Sequence, residues 1–166
     1  MKLKGIAMQI VIGLIVAVVA ALLAARLGAF SGSAPDNLGL REGKLKPPSK
    51  TPNSVSSQAA LWPDHPQRSE AAIAPLALKG GDGPATIARL ATLVEGMDGA
   101  RIVERRPDYL YVQFTTHWMR FVDDCEFWFD PAAGVVQMRS AARVGRKDFG
   151  VNRARLEAIR ARLAAA

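Results

Sequence analysis

The chain has 166 residues, 49% of them hydrophobic and 22% charged, with a formal net charge of +7. That length holds one modest domain plus appendages, and that composition excludes a chain disordered throughout. Cys125 is the only cysteine, which excludes an intramolecular disulfide.

Much of the hydrophobicity sits in one block. Gly5 to Ala25 is 21 residues without a charge, bounded by Lys4 and Arg26. As a helix it measures about 31 Å, which matches the roughly 30 Å hydrocarbon core of a bilayer. Residues 5–26 are therefore expected to form a transmembrane anchor behind a cytoplasmic tail at 1–4. A cleaved secretory signal is the alternative, with Ala29-Phe30-Ser31 as a weak cleavage site, but signal apolar regions end at about 15 residues. Lys2 and Lys4 before the block and Arg26, Arg41, Lys44 and Lys46 after it leave the basic bias ambiguous. A long domain behind a short tail translocates largely regardless of charge. The expected location is a bacterial inner membrane, single-pass, with the C-terminal domain in the periplasm. Gly13 and Ala17 share a helix face, a pairing too common in apolar helices to define a dimer seam.

Residues 27–72 read as a mostly irregular tether rich in Pro, Gly and Ser, where no apolar periodicity lasts. The folded part is expected at 73–166. Its first segment, IAPLAL from Ile73, reads as a short strand and GGDGP as a turn. Ala85 to Met97 then has Ile87, Leu90, Leu93 and Val94 at helical spacing, with Pro84 in the first turn and Gly96 and Gly99 at the end. Ala100 to Arg105 and Tyr109 to Thr115 read as strands around a Pro-Asp turn, with Leu110, Val112 and Phe114 on one face.

A hairpin follows, turned by Asp130-Pro131-Ala132-Ala133-Gly134. Pairing Asp130 with Val135 sets Trp128 opposite Gln137, Glu126 opposite Arg139, Asp124 opposite Ala141 and Val122 opposite Arg143. This register puts Phe121, Cys125, Phe127 and Phe129 with Val136, Met138 and Ala142 on an apolar face, and Asp124 and Glu126 among Arg139 and Arg143 on the other. The acids on that second face are expected to form a solvated ion-pair ladder. Neither a catalytic acid pair nor a metal cluster is expected there, since further ligands at fixed spacing are missing. Asp123 falls on the apolar side, where its carboxylate needs a backbone hydrogen bond or an arginine. Cys125 reads as a small buried hydrophobe. No motif gives it a base, because His65 and His117 are the only histidines and neither is placed by a pattern.

The last segment, from Ser140 to Leu163, passes through a Gly-containing loop into a helix with Leu156, Ile159 and Leu163 as its apolar line. In the run Asp148-x-Gly150-x-Asn152-Arg153, Asp148 or Asn152 can cap that helix, and Arg143 or Arg153 can hold Asp148. This run is primarily a structural clasp. Its polar density also makes Asp123, Ser140, Arg143, Asp148, Asn152 and Arg153 the candidate ligand-binding residues. Trp118 and Met119, beside His117 and Arg120, are candidates for contact with a membrane or an apolar ligand. Charge is segregated along the chain. Arg139 to Arg162 holds eight basic residues against Asp148 and Glu157, whereas Glu95 to Asp130 holds eight acidic residues against four arginines. A basic end facing anionic lipid, an acidic polymer or an acidic protein is the expectation. Nucleic acid is not expected, as there is no helix-turn-helix, aromatic RNA-binding sheet or zinc pattern.

YLYVQFTTHWMRFVDDCEFWFDPAAGVVQMRSAARVGRKDFGVNRARLEAIRARL, from Tyr109, and LKPPSKTPNSVSSQ, from Leu45, are similar to the domain of unknown function 1499 family. The resemblance runs from about Leu38 to Leu163. Family members usually carry two cysteines where this chain has Pro48 and Ser54. Their joint absence points to a paired role, as a disulfide or metal site, that does not carry over here. The resemblance implies no catalytic residues.

The expected architecture is α+β, a four- to five-stranded antiparallel sheet with two covering helices behind the anchor and tether. The leading functional expectation is a noncatalytic envelope module without cofactor or metal. It would bind the bilayer through residues 5–26 and an anionic lipid or small apolar ligand through the domain. A scaffold for an envelope protein is the first alternative. A hydrolase or transferase using Asp123 or Asp148 is the second.

Overall fold

The computed structural model describes residues 2–165. Met1, part of the expected tail, and Ala166 lie outside the described residues. Helix α1 spans Lys2–Arg26, so the tail residues from Lys2 onward belong to its first turn. Its apolar side chains, from Ile6 to Leu23, are exposed along most of its length. The segment Gly5–Arg26, with mean hydropathy 2.9, is long and apolar enough to cross a membrane, a test that a signal sequence also passes.

The domain is a three-layer α+β structure. Its antiparallel sheet contains β1 (Ser54–Ser56), β2 (Leu76–Ala77), β3 (Ala100–Arg105), β4 (Tyr109–Thr115), β5 (Val122–Asp130) and β6 (Val135–Ala142). The order is β1-β6-β5-β4-β3, and the short β2 also pairs with β6, one strand more than the sequence implied. The hairpin register is the one the alternation requires, with Asp130 opposite Val135 and Glu126 opposite Arg139. Val122 and Arg143 continue it through an Arg143 N–H to Val122 carbonyl bond of 3.1 Å.

One face packs under α3 (Gly83–Glu95) and α4 (Val151–Ala165). Leu110, Val112, Phe114, Cys125, Phe127, Val136 and Met138 meet Ile87, Leu90, Val94, Leu156, Ile159 and Leu163 in a single core. Asp82 caps α3 by accepting from the Ala85 N–H at 2.9 Å, and Pro84 sits in the first turn, where its missing N–H has no cost. Phe121 departs from the expected face. It precedes β5, is partly exposed, and its ring meets Phe30 with centroids 5.9 Å apart.

The other face is covered too, and this changes the reading of the tether. Leu38, Leu40 and Leu45 pack with Tyr109, Tyr111 and Trp128 in a second apolar cluster. Leu45 is anchored by its N–H to Gln58 Oε1 at 2.8 Å, and Gly39 N–H reaches Glu126 Oε1 at 2.7 Å. The segment is mostly irregular, as expected, but from Leu38 onward it is a layer of the fold. The packed body therefore begins well before Ile73, with β1 and the short helix α2 (Arg68–Ala71) inside it.

Candidate functional site

Strand alternation places Tyr109, Tyr111, Gln113, Asp124, Glu126 and Arg139 on the sheet face beneath the irregular cover, where Arg143, just past β6, joins them. The expected solvated ladder is instead buried: Asp124 is 1% exposed, Glu126 0% and Arg139 3%. The cover explains the difference, because it removes this face from water and each charge then requires partners. Arg143 grips Asp124 through two bonds, Nε to Oδ2 at 2.8 Å and Nη2 to Oδ1 at 2.7 Å. Tyr111 donates to Asp124 Oδ1 at 2.5 Å, and Gln113 donates to the Tyr111 hydroxyl at 2.8 Å. Tyr109 donates to Glu126 Oε1 at 2.8 Å, while Arg139 Nη1 stands 3.6 Å from Oε2. Oε2 has no hydrogen-bond partner among the described residues.

Burial pushes the Glu126 carboxyl above its ordinary range, an effect that Arg139, the Gly39 N–H and the Tyr109 hydroxyl only partly offset. Desolvation likewise lowers Arg139, and raises Tyr109 together with its carboxylate neighbour Glu126. Arg143 is held above its usual value by its hydrogen bonds to Asp124.

A cleft of about 210 Å³ opens at the edge of this network, between the cover and β6. Ser33, Pro35, Lys46 to Ser49, Asp124, Arg139, Ala141, Ala142 and Arg143 line it. Lys46 donates to Asn37 Oδ1 at 2.6 Å and lies in no ion pair among the described residues. Its pKa is lowered first by burial and next by repulsion from Arg139. The positions of the two absent family cysteines border this region. Ser49 N–H donates to Ser54 Oγ at 2.8 Å, closing the Pro48 to Ser54 loop with a hydrogen bond.

The sequence-derived candidates separate into three places. Arg143 lies on the covered face with Asp124. On the helix face, Asp123 is buried and paired with Arg155 at 2.7 Å, the second of the two partners expected for it. Burial still leaves its pKa raised, with Arg155 opposing the shift. Asn152, fully buried, is the hub there: its Oδ1 accepts from Ser140 Oγ and from Arg155 Nη1, and its Nδ2 donates to Asp148 Oδ2 and the Asn53 carbonyl. Asp148 caps α4 by accepting from the Asn152 and Gly150 N–H groups at 2.9 and 3.1 Å. Neither Arg143 nor Arg153 holds it. Arg153 points elsewhere, donating to the Glu70 and Ala72 carbonyls at 2.7 and 2.9 Å. A cavity of about 390 Å³ lies beside Asp148, Phe149 and Arg153, yet the polar groups of Asn152 are already occupied within the fold. Trp118 is 65% exposed and Met119 partly so, at the β4–β5 loop.

The segregated charges are complementary once folded. Arg139, Arg143 and Arg155 from the basic stretch meet Glu126, Asp124 and Asp123 from the acidic one. Three of the eight basic residues of that stretch are thereby matched within the fold. Lys46 was the residue the sequence reading missed, since only the fold brings it against Arg139. No group of His, Cys, Asp and Glu able to hold a metal ion occurs among the described residues.

No curated protein and no solved structure matches this chain. Residues 44–163 match the model of a family described as a protein of unknown function, DUF1499, a span that runs from the cover segment through both arginine-rich faces to the last turn of α4. The chain belongs to that family.

Proposed function

We propose that the chain is a membrane-anchored, noncatalytic binding module whose cleft at Lys46, Arg139 and Arg143 takes the anionic group of an amphiphile. The observation that carries this reading is the charge of the cleft wall: three cations against the single carboxylate of Asp124. Arg143 is already matched by Asp124, and Arg139 by the buried Glu126. Lys46 remains as the cation of the cleft in no ion pair among the described residues, and the surroundings disfavour its charged form. An anion beside it reverses that penalty and gains a charge-assisted hydrogen bond.

Position supports an amphiphile over a purely soluble anion. Ser33 and Pro35, in the cleft wall, follow closely on Arg26 at the end of the apolar helix. With that helix retained as an anchor, the cleft stands near the headgroup layer. In this reading the host is the inner membrane of a bacterium and the domain lies on its periplasmic side. Chemistry at the cleft favours binding over turnover, because its one carboxylate, Asp124, is already engaged by Arg143 and Tyr111 and is not available as a base.

The test is a titration of the full chain in uncharged detergent with dihexanoyl phosphatidylglycerol and, separately, dihexanoyl phosphatidylcholine. Saturable binding of the anionic lipid alone is expected, weakened about tenfold or more by Lys46→Gln, as for loss of one charged hydrogen bond. Equal binding of both lipids, or no effect of Lys46→Gln, would overturn the reading.

A further inference from the structure

We propose that the end of the domain bearing the β4–β5 and β6–α4 loops lies against the bilayer that holds α1, with Trp118 and Phe149 inserted among the lipids. The proposal rests on retention of α1 as an anchor but not on the anion cleft.

Sheet topology gathers this end. β4 finishes at Thr115, β5 starts at Val122 and β6 finishes at Ala142, so antiparallel pairing brings the loops 116–121 and 143–150 to the same edge. Trp118 projects from the first loop at 65% exposure and Phe149 from the second at 93%. Two large aromatics this open to water are unfavourable on a domain with nothing else to cover them, and each is worth most where its ring leaves water. The backbone is also held against its preference at Phe149 itself and at Arg120 in the Trp118 loop. Phe149 has φ +54° and Arg120, two residues beyond Trp118, has φ +58°. A bulky residue in the left-handed region that gains no packing from it is an outlier requiring a reason.

The anchor leads to the same edge. After Arg26 the chain turns through Leu27 to Ser31, and Phe30 meets Phe121 at the root of the Trp118 loop. Gly32, at φ +65°, presses on Arg143 and Val144 at the root of the Phe149 loop, where a Cβ would stand 2.8 Å from both side chains. Phe30 lies four residue steps beyond Arg26, a reach of at most about 14 Å. That distance is comparable with the depth of one interfacial layer plus the outer acyl boundary in which amphipathic surfaces rest. The loops are thus fastened beside the point where the chain leaves the membrane.

Charge does not choose the occupant. Arg120, Arg146, Lys147 and Arg153 at this edge stand against Asp98, Asp148 and Glu70, and Arg155 is matched by Asp123, which leaves an excess of only one positive charge. Aromatic insertion, which is indifferent to headgroup charge, is the recognition chemistry, and a zwitterionic bilayer satisfies it.

The experiment places the full chain in phosphatidylcholine vesicles with and without bromine on the upper acyl chain. The fluorescence of Trp118 is taken as the difference between the native chain and Trp118→Phe. Quenching of that difference signal by bromine, with loss of its quenching by aqueous acrylamide, is expected, and Phe149→Asp is expected to diminish the bromine effect. The remaining emission, from Trp62 and Trp128, reports that each variant is folded. A Trp118 signal untouched by bromine and open to acrylamide would overturn the proposal. So would quenching confined to vesicles containing anionic lipid, which points to the cleft instead. An empty cleft leaves the prediction in neutral vesicles unchanged, so the two readings fail separately.

Discussion

The guanidinium of Arg155 lies between the Asp123 carboxylate, 2.7 Å from its Nη2, and the ring of Phe114, whose centroid is 4.6 Å from its Cζ. A helix residue thereby closes the one acidic position on the apolar face of the sheet. Arg155→Met keeps much of the volume but leaves the mostly buried carboxylate unpaired, and is expected to destabilise the domain by about 3 kcal/mol or more. Adding Asp123→Asn should restore a good part of that loss. Thermal unfolding of the full chain in detergent, by near-ultraviolet circular dichroism, checks both values. Additive losses would contradict the pairing.

Glu126 and Arg139 invite the same cycle on the covered face, with a pH dependence attached. Single replacement of either is expected to cost about 3–5 kcal/mol, while Glu126→Met with Arg139→Leu loses less than the sum. Burial raises the folded-state pKa of Glu126 above its ordinary 4.5. The folded chain therefore binds this proton at higher pH than the unfolded chain does, so stability from this site rises as pH falls through the folded value toward 4.5. Compared with Glu126→Gln, the native chain should gain in thermal midpoint over that window. A relative loss would reverse the sign of the account.

Asp148 caps α4 with both oxygens. Asp148→Ala is expected to lower stability by about 1 kcal/mol, with Asp148→Asn milder. Amide hydrogen exchange should speed first at Gly150 and Asn152. Exchange unchanged at those amides would show that the cap contributes nothing.

Gly99 sits at φ +71°, and a Cβ there would collide with the carbonyl oxygen of Thr115, which is backbone and cannot swing away. Gly99→Ala should therefore cost at least about 1–3 kcal/mol, and disturb the start of β3 where it meets β4. A native-like thermal midpoint for this variant would contradict that close approach. Cys125 offers a gentler check. Burial pushes its thiol up to about 12, so maleimide should leave it unlabelled in the folded chain and modify it on unfolding.

Much of the sheet was legible because alternation is a local signal. Leu110, Val112 and Phe114, and then Phe127 against Met138, sort to one face only in a single register, and the Asp130 to Gly134 turn agrees with it. The cover was not legible. Leu38, Leu40 and Leu45 follow no helical or strand period, since an irregular segment takes its shape from the surface it packs upon. For the same reason Asp124 and Glu126 read as solvated: their burial is imposed by residues more than eighty positions away in the chain. Asp123 announced its need for a partner by lying on the apolar face, but nothing in the spacing chose between backbone and arginine or named Arg155. The segregation of charge was visible and its meaning was not, because complementary stretches look like opposite surface poles until strand pairing brings them together. Phe149 was passed over as part of a polar loop, where one aromatic residue gives no sign of its exposure.

Native mass spectrometry of the full chain, released from its own membranes in nanodiscs and activated to strip bulk lipid, shows whether the cleft holds an anionic amphiphile. A retained adduct of one anionic amphiphile, at one per chain, is expected, lost in Lys46→Gln while the fold persists. A chain that emerges empty, or an adduct indifferent to Lys46, would contradict it.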